Sequence, residues 1–434
     1  MDYQQTIDFL FSQLPMYQRV GKSAYKADLN NTLALDAHFD HPHKKFKTIH
    51  VAGTNGKGSV SYMLASILQE AGLKTGLYTS PHLTDFRERI KINGNMIEKD
   101  EVVGFVEKNR SIIEDIKPSF FEMTVAMAFN YFAEQGVDIA VIEVGMGGRL
   151  DSTNIINPLV SIITNIGFDH ILFLGSTLEK IAMEKAGIIK QGVPVIIGDE
   201  HKATAPIFIK QAAENDSSVC FSQRRFKVRM MESGNNSREM IVKNVQSGTT
   251  FNISTDLLGE YQQKNIIPVF GALQVLVPIL NLPKYAIISG LANVVKNTNL
   301  RGRWEVIRKI PKVICDTGHN VEGITCVVNQ LKKEVFGKLH IVIGVVEDKD
   351  IKRILGLFPK DATYYFTQAT IPRAVSHVKL AEIGTGLGLK GKSYDTVAKA
   401  YTKALDSAAS ADIIFVGAST FVVADLLVFL EGVV

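Results

Sequence analysis

The sequence predicts an α/β protein: a P-loop domain with a mostly parallel sheet and a small antiparallel subdomain, followed by a smaller Rossmann-like α/β domain. Three observations carry this. Short β-rich runs alternate with helix-period segments, a glycine-rich turn joins a buried strand to an amphipathic helix at residues 51–60, and a second strand and helix series follows a polar break near residue 300.

FKTIHVAG (Phe46 to Gly53) reads as a buried strand, and SVSYMLASILQEAG (Ser59 to Gly72) as the helix behind it, stopping at a glycine. LKTGLYTS (Leu73 to Ser80), DIAVIEVG (Asp138 to Gly145), LVSIITNIG (Leu159 to Gly167) and VPVIIG (Val193 to Gly198) are further strands. Helical stretches such as SFFEMTVAMAFNYFAEQG alternate with them, which implies parallel pairing with helices on both faces. From Ser217 to Leu258 short strands take over, with a hairpin turn in SGNNSRE. The polar segment NTNLRGR (Asn297 to Arg303) marks the boundary, so the domains are expected at 1–298 and 304–434, with 299–303 as linker and hinge. Beyond it KVICDTG, HIVIGVV, ATYYFTQ and DIIFVGAS read as strands separated by helical patterns.

Composition limits the function classes. Over 434 residues, 46% are hydrophobic and 21% charged, which excludes disorder as the main state. A net charge of +4 is too small over this length for a nucleic-acid footprint or a membrane-surface patch. The three cysteines, Cys220, Cys315 and Cys326, lack paired metal spacing, which fits a reducing compartment and weighs against a disulfide framework or a zinc site. The start, MDYQQTIDFLFSQL, has neither a basic n-region nor a long apolar core, so no secretory signal is expected. Ile266 to Leu282 is interrupted by Gln274 and prolines, and Ile413 to Leu430 by Ser419, Thr420 and Asp425, so neither is expected to cross a bilayer. The expectation is a soluble, cytoplasmic protein with small-molecule partners, without nucleic-acid or membrane partners.

The strongest chemical signal is VAGTNGKGSV (Val51 to Val60). Glycines at such a junction let backbone N–H groups turn toward phosphate oxygens, Lys57 adds a point charge, and the helix N-terminus adds its positive dipole end. Thr54, Asn55, Gly56, Lys57, Gly58 and Ser59 are therefore candidate NTP-phosphate contacts, although the spacing departs from GxxxxGK[ST]. The bland alternative is a tight turn with a surface lysine. Glu143 ends a buried strand before a glycine-rich loop, where open α/β sheets bind ligands, and offers Mg2+ a hard oxygen. Its bland reading is a solvated carboxylate or a helix cap. Lys185, within the helical STLEKIAMEKAG, reads by itself as a solvated face residue.

GTNGKGS, TSPHL (Thr79 to Leu83), EVGMGGRLDSTN (Glu143 to Asn154), GFDHILFLG (Gly167 to Gly175) and EKAGIIK (Glu184 to Lys190) together resemble folylpolyglutamate synthase and dihydrofolate synthase, within the Mur ligase superfamily. GEYQQKN, RGRWE, DTGHN, TQATIPRA and GAST follow in the family's order, so the resemblance runs nearly end to end. It implies an ATP-dependent ligase that adds L-glutamate to dihydropteroate and to reduced folates through an acyl phosphate, with ATP between two lobes. It implies Ser80, Glu143, His170 and a carbamylated Lys185 as metal ligands for two Mg2+ ions, with K+ a further candidate. It assigns catalytic work to Lys57, Lys185, His170 and Arg303, and nucleotide contacts to Asn265, Arg303 and Asp316. RGR stands where many relatives have PGR, so Arg301 competes with Arg303 for the phosphates.

For the pterin-bearing substrate the resemblance implies Asp28, Leu29 and Asn30; Phe121, Glu122, Met123 and Thr124; and Leu150, Asp151 and Ser152. Phe121 can stack on a flat ring and Asp151 can pair with ring N–H donors, although Phe121 and Met123 also fit the apolar face of their helix. His319 and Ser419 match positions tied to the incoming glutamate, Ser419 fitting a helix N-cap equally well. A monomer is expected by resemblance. Alternatives are a monofunctional folylpolyglutamate synthase, another Mur-type amino-acid ligase and, from a different class, a P-loop nucleotide switch without ligase activity.

Overall fold

The computed structural model describes residues 1–15, 28–231, 234 and 236–432. It divides into two compact units: Met1–Asp256 with Gln262–Asn299, and Leu257–Tyr261 with Leu300–Val434.

The first unit is built on eight strands: β1 (Lys47–Ala52), β2 (Thr75–Tyr78), β3 (Ile90–Ile92), β4 (Asn95–Met96), β5 (Ile139–Glu143), β6 (Val160–Ile163), β7 (Val195–Ile197) and β8 (Val219–Phe221). Their order is β4-β3-β2-β5-β1-β6-β7-β8. The six from β2 to β8 in that order run parallel, and β3 and β4 form an antiparallel edge. Both β5 and β6 bury every residue, the pattern of parallel strands covered on both faces. Helix Phe120–Glu134 sends Met123, Met127, Phe129 and Phe132 into one core with Tyr78, Ala140 and Ile142. A separate core joins Ile163, Val195 and Ile197 to Ala186 and Phe208.

The expected antiparallel subdomain is a meander of β9 (Phe226–Met230), β10 (Arg238–Asn244) and β11 (Thr250–Thr255). The β9–β10 connection runs through the segment expected to turn, of which residues 233 and 235 lie outside the described residues. Helix Gln262–Leu280 has the length and composition of a membrane span, but it packs on β6, β7, β9 and helix Lys57–Glu70.

The second unit holds β12 (Glu305–Lys309), β13 (Lys312–Asp316), β14 (Leu339–Ile343), β15 (Thr363–Phe366), β16 (Lys390–Ser393) and β17 (Ile413–Gly417), ordered β12-β13-β17-β14-β15-β16. All pairs are parallel except β12 with β13. Ile314, Ile341, Phe366 and Phe415 form its core with Trp304. The expected boundary needs one correction, because Leu257–Tyr261 belongs with this unit rather than with residues 1–298. Leu258 packs on the second core, Gln330 Nε2 donates to its carbonyl at 3.1 Å, and the Glu260 N–H donates to Gln330 Oε1 at 2.7 Å.

One helix contact in the first unit depends on a missing side chain. A Cβ on Gly290 would lie 2.5 Å from Ile67 Cα, whereas one on Gly104 would meet nothing within 4 Å. Gly290→Ala is expected to cost about 1–3 kcal/mol in chemical denaturation, and Gly104→Ala to be neutral or to stabilise by up to ~1 kcal/mol. Equal midpoints for the two variants would refute the close helix approach.

Candidate active site

The turn after β1 is shaped by two glycines. Gly53 has φ +145° and its missing Cβ would sit 1.8 Å from Thr164 Oγ1; Gly56 has φ +84° and its Cβ would sit 2.2 Å from Asn265 Oδ1. Both positions therefore require glycine by backbone and by space. The segment after β6 holds the turn in place. Thr54 N–H donates to Asn165 O at 3.0 Å and Asn55 N–H to Asn165 Oδ1 at 2.8 Å. Thr164 Oγ1 donates to Asn55 O at 2.6 Å, and the Thr54 hydroxyl bridges the Gly167 carbonyl and N–H. Behind the turn, Asn265 donates to Gln262 and Gln262 to Ser59 Oγ. Gly56 is the N-cap of helix Lys57–Glu70 and offers no side-chain cap, so the first helical N–H groups and the positive dipole end suit an anion.

Parallel pairing brings the ends of β2, β5, β1 and β6 to one edge of the sheet. There Ser80 N–H donates to the buried Glu143 carboxylate at 3.2 Å. Lys185, in helix Leu178–Ala186, is 4% exposed. Its Nζ donates to Gly53 O at 2.9 Å, the same oxygen that receives Lys57 Nζ at 3.1 Å. Burial, and then the Lys57 charge, push the Lys185 amine down to about 7, while Asp169 and Asp151 oppose the shift. The solvated-face reading of Lys185 therefore fails. β6 stops at Ile163, and His170 lies on the following loop at φ +49°, its N–H bonded to Asp169 Oδ1.

The loop after β5 is organised by Asp151. Its Oδ2 accepts from Met146 N–H at 2.9 Å, and its Oδ1 from the Thr153 N–H at 3.1 Å and hydroxyl at 2.5 Å. Burial raises its pKa against these bonds. The buried Asp151 carboxylate thus already serves its own loop. Since the Thr153 hydroxyl proton points to Asp151, His50 Nε2 is the donor in its 2.9 Å contact with Thr153 Oγ1. His50 is fully buried, and burial and then Lys190 lower its pKa to about 3, so the ring is neutral. The sequence reading missed this His50–Thr153–Asp151 chain, for which a buried-strand histidine beside LDST was the only signal.

The other substrate candidates separate by burial. Phe121 is half-buried, its ring lying against Gly145 where a Cβ would meet Cζ at 2.4 Å. Glu122, Met123 and Thr124 are corrected as ligand contacts. Glu122 closes a capping box with Ser119 and accepts from Asn31, Met123 is core, and the Thr124 hydroxyl pairs with Tyr78 OH and Phe121 O. Leu150 is half-buried, and Ser152 is buried at the start of the 3-10 turn Ser152–Ile155. Asp28 and Asn30 are exposed and Leu29 is half-buried, at the start of helix Asn30–His38, whose Asn31 reaches Glu122.

Within the second unit, Asp316 ends β13 and accepts from Tyr261 OH at 2.6 Å, Trp304 N–H at 2.8 Å and Gly318 N–H at 2.7 Å. Burial raises its pKa against those bonds. Arg301 pairs with Glu305 at 2.6 Å and Glu431 at 3.7 Å. Arg303 bonds to Gly302 O and the Thr317 hydroxyl and, among the described residues, makes no ion pair within 4 Å, although its charge acts on the buried Asp316; it is the less committed of the two arginines. His319 Nδ1 lies 3.1 Å from Thr317 O. Ser419 is buried and is the N-cap of helix Thr420–Glu431, its Oγ accepting from Phe421 N–H, as its alternative reading expected.

The Mur ligase middle domain family matches residues 51–273, and the Mur ligase glutamate ligase domain matches residues 302–420. A Bacillus subtilis dihydrofolate synthase/folylpolyglutamate synthase is 33% identical over 81% of this chain and 84% of its own length. A Haloferax volcanii protein named as a probable bifunctional folylpolyglutamate synthase/dihydropteroate synthase is 33% identical over 98% of this chain, which spans only 50% of that relative. Among solved structures, Escherichia coli FolC in complex with DHPP and ADP aligns with TM-score 0.86 and 27% identity, covering 100% of this chain and 98% of that one. A Yersinia pestis bifunctional folylpolyglutamate synthase/dihydrofolate synthase complexed with AMPPNP and Mn ion aligns with TM-score 0.84 and 27% identity, covering 99% of this chain and 98% of that one.

Thr153→Val removes the link between His50 and a buried carboxylate and should cost about 1–3 kcal/mol in urea unfolding; a loss under ~0.5 kcal/mol would show the link to be idle. For Lys185 the folded amine titrates near 7 and the unfolded one near 10.5, so between these values the unfolded chain holds the extra proton. The Lys185 contribution to stability therefore rises with pH across that window. Lys185→Met should flatten the rise in a pH series of unfolding free energies, and parallel curves would refute the depressed amine.

Proposed function

The chain belongs to the Mur ligase family, in its dihydrofolate synthase/folylpolyglutamate synthase branch, and from this premise we propose that it is an ATP-dependent amide ligase joining L-glutamate to dihydropteroate and to reduced folates. The observation that carries the reading is the convergence of Lys57 and the buried Lys185 on Gly53 O, at the sheet edge where Ser80 meets Glu143.

In the proposed reaction an oxygen of the substrate carboxylate attacks the γ-phosphorus of ATP and ADP departs. The glutamate amine then attacks the acyl carbon, phosphate leaves, and the amine gives up a proton as the amide forms. A free carboxylate is a poor electrophile; phosphorylation supplies its leaving group. Lys57 and the first N–H groups of its helix hold the phosphates, and the bonds of Thr54 and Asn55 to Asn165 and Thr164 anchor the turn so that they stay aimed without reorganisation. Phe121 is the proposed stacking surface for the pterin, and Arg303 the proposed arginine for the transferring phosphate. Asp28 to Asn30, Asp316 and His319 keep their proposed substrate and nucleotide assignments.

The donor set fits divalent metal in one chemical state. Glu143 is a hard oxygen ligand, and Ser80 and His170 are proposed beside it. Lys185 fits only once modified. A lysine held near 7 is substantially neutral at physiological pH, so its lone pair can attack CO2, giving a carbamate and releasing a proton. That replaces a repelling cation by an oxygen ligand. When bound, Mg2+, proposed as two ions with K+ as a further candidate, would screen the phosphate charge. Incubation with 13C-bicarbonate should give a 13C carbamate resonance that Lys185→Arg abolishes; the same resonance in the variant would refute Lys185 as the carbamylated lysine.

A monofunctional folylpolyglutamate synthase is the second reading, favoured by one observation: the Asp151 carboxylate, the proposed pteroate partner, is already bonded within its own loop. Phosphate release with Mg-ATP and L-glutamate separates the two. Release with both 7,8-dihydropteroate and tetrahydrofolate, with amide products, is expected. Release with tetrahydrofolate alone supports the second reading, and release with neither refutes both. Glu143→Ala is expected to lower turnover at least 100-fold; unchanged turnover would remove Glu143 from the metal set.

A further inference from the structure

Away from that site, the turn leading into β1 gathers two imidazoles around one buried carboxylate. Asp36 lies in the last turn of helix Asn30–His38 and is 5% exposed. His41 Nδ1 is 2.6 Å from Asp36 Oδ2, and His43 Nδ1 is 2.6 Å from Asp36 Oδ1. The three donor atoms lie within 4.8 Å of one another.

The backbone builds this arrangement. His41 adopts φ +48° and its N–H closes onto Asp36 O at 2.9 Å, while Pro42 opens the 3-10 turn Pro42–Lys44. The His41 and His43 rings stand 90° apart with centroids 6.2 Å from each other, so they approach the carboxylate from different directions. Such an approach leaves room for a fourth, solvent ligand on the side of His41, which is 47% exposed. Pro42 and the same helix both pack on helix Phe120–Glu134, which holds the turn and the carboxylate in fixed relation.

We propose that Asp36, His41 and His43 form a binding site for a divalent transition metal, Zn2+ foremost, at the entry to the central strand. Two imidazole nitrogens and one carboxylate oxygen suit borderline metals such as Zn2+ and Co2+, whereas Mg2+ and Ca2+ prefer all-oxygen shells. On binding, each neutral ring shifts its proton from Nδ1 to Nε2 and presents the Nδ1 lone pair, so the ion replaces the two ring protons now shared with the carboxylate. One carboxylate and two neutral rings leave a single positive charge, which a bound water meets at the exposed side. The cluster precedes β1 and the phosphate turn follows it, so the strand's six residues, roughly 20 Å, separate the two. A metal here is structural, tying the end of helix Asn30–His38 to the start of the central strand. The inference does not depend on the ligase reading.

The test uses the full chain stripped of metal by a chelator, with Co2+ as the spectroscopic probe. Visible Co2+ absorption should saturate with about one equivalent assigned to this cluster, be displaced by Zn2+ and survive millimolar Mg2+, and Zn2+ should raise the melting temperature. Asp36→Asn and His43→Ala should each weaken Co2+ binding at least tenfold, as should His41→Ala, which alters an exposed ring and leaves the fold intact. Glu143→Ala should keep the Co2+ spectrum, because that residue belongs to the other edge of the sheet. Equal Co2+ binding by wild type and His41→Ala would overturn the proposal. So would variants that melt lower but show no metal-dependent difference from wild type, since Asp36 would then be a hydrogen-bonded clamp alone.

Discussion

Two lysine amines donate to one carbonyl oxygen, that of Gly53, and much of the first unit's chemistry depends on this crowding. Burial first, and then repulsion from the Lys57 ammonium, bring Lys185 down to about 7, while Lys57 keeps the wetter position on the turn. Placing a second amine there makes sense chemically if it is meant to lose its proton. A permanently charged group at that position would work against any metal held by Glu143, and the burial that costs stability at low pH is what makes the amine reactive.

The crowding can exist only because the turn cannot relax. Gly53 and Gly56 have positive φ and no room for a side chain, and bonds from Thr164, Asn165 and Gly167 hold Thr54 and Asn55 from the β6 side. Asp151 does the same for the neighbouring loop, collecting N–H donors from Met146 and Thr153 and a link to His50 in β1. Two glycine-rich loops are thus fixed to adjacent parallel strands by short polar side chains. Thr54 and Asn55 spend their N–H groups on Asn165 to hold the turn, which leaves the first helical N–H groups from Lys57 onward for an anion.

The fold class was legible because parallel strands buried on both faces appear as unbroken apolar runs, and IAVIE and VSII are such runs. β16 was not legible: KGKS is exposed at every residue and carries no apolar period to detect. The hairpin of β9 and β10 was legible from its polar turn, whereas the return of Leu257–Tyr261 to the second unit was not, since it rests on bonds to Gln330 and Asp316 distant in sequence. Among site residues, the turn from Thr54 to Ser59 could be read from glycine spacing. Glu122, Thr124 and Ser419 could not, because a polar side chain that caps a helix or pairs within the core looks, in sequence, like one that faces a ligand.

The sequence by itself determined the strand and helix alternation, the place of the phosphate turn, and the family to which the motifs point, because each of these is local in the chain. Only the tertiary structure decided that Lys185 is buried against Lys57, that Asp151 serves its own loop, that Arg301 rather than Arg303 is tied up by carboxylates, and that His41 and His43 converge on Asp36. Those properties depend on charge, burial and partners brought together by packing. A side chain's hydrogen-bond partner and its distance from water are set by segments remote in sequence, so no local pattern encodes them.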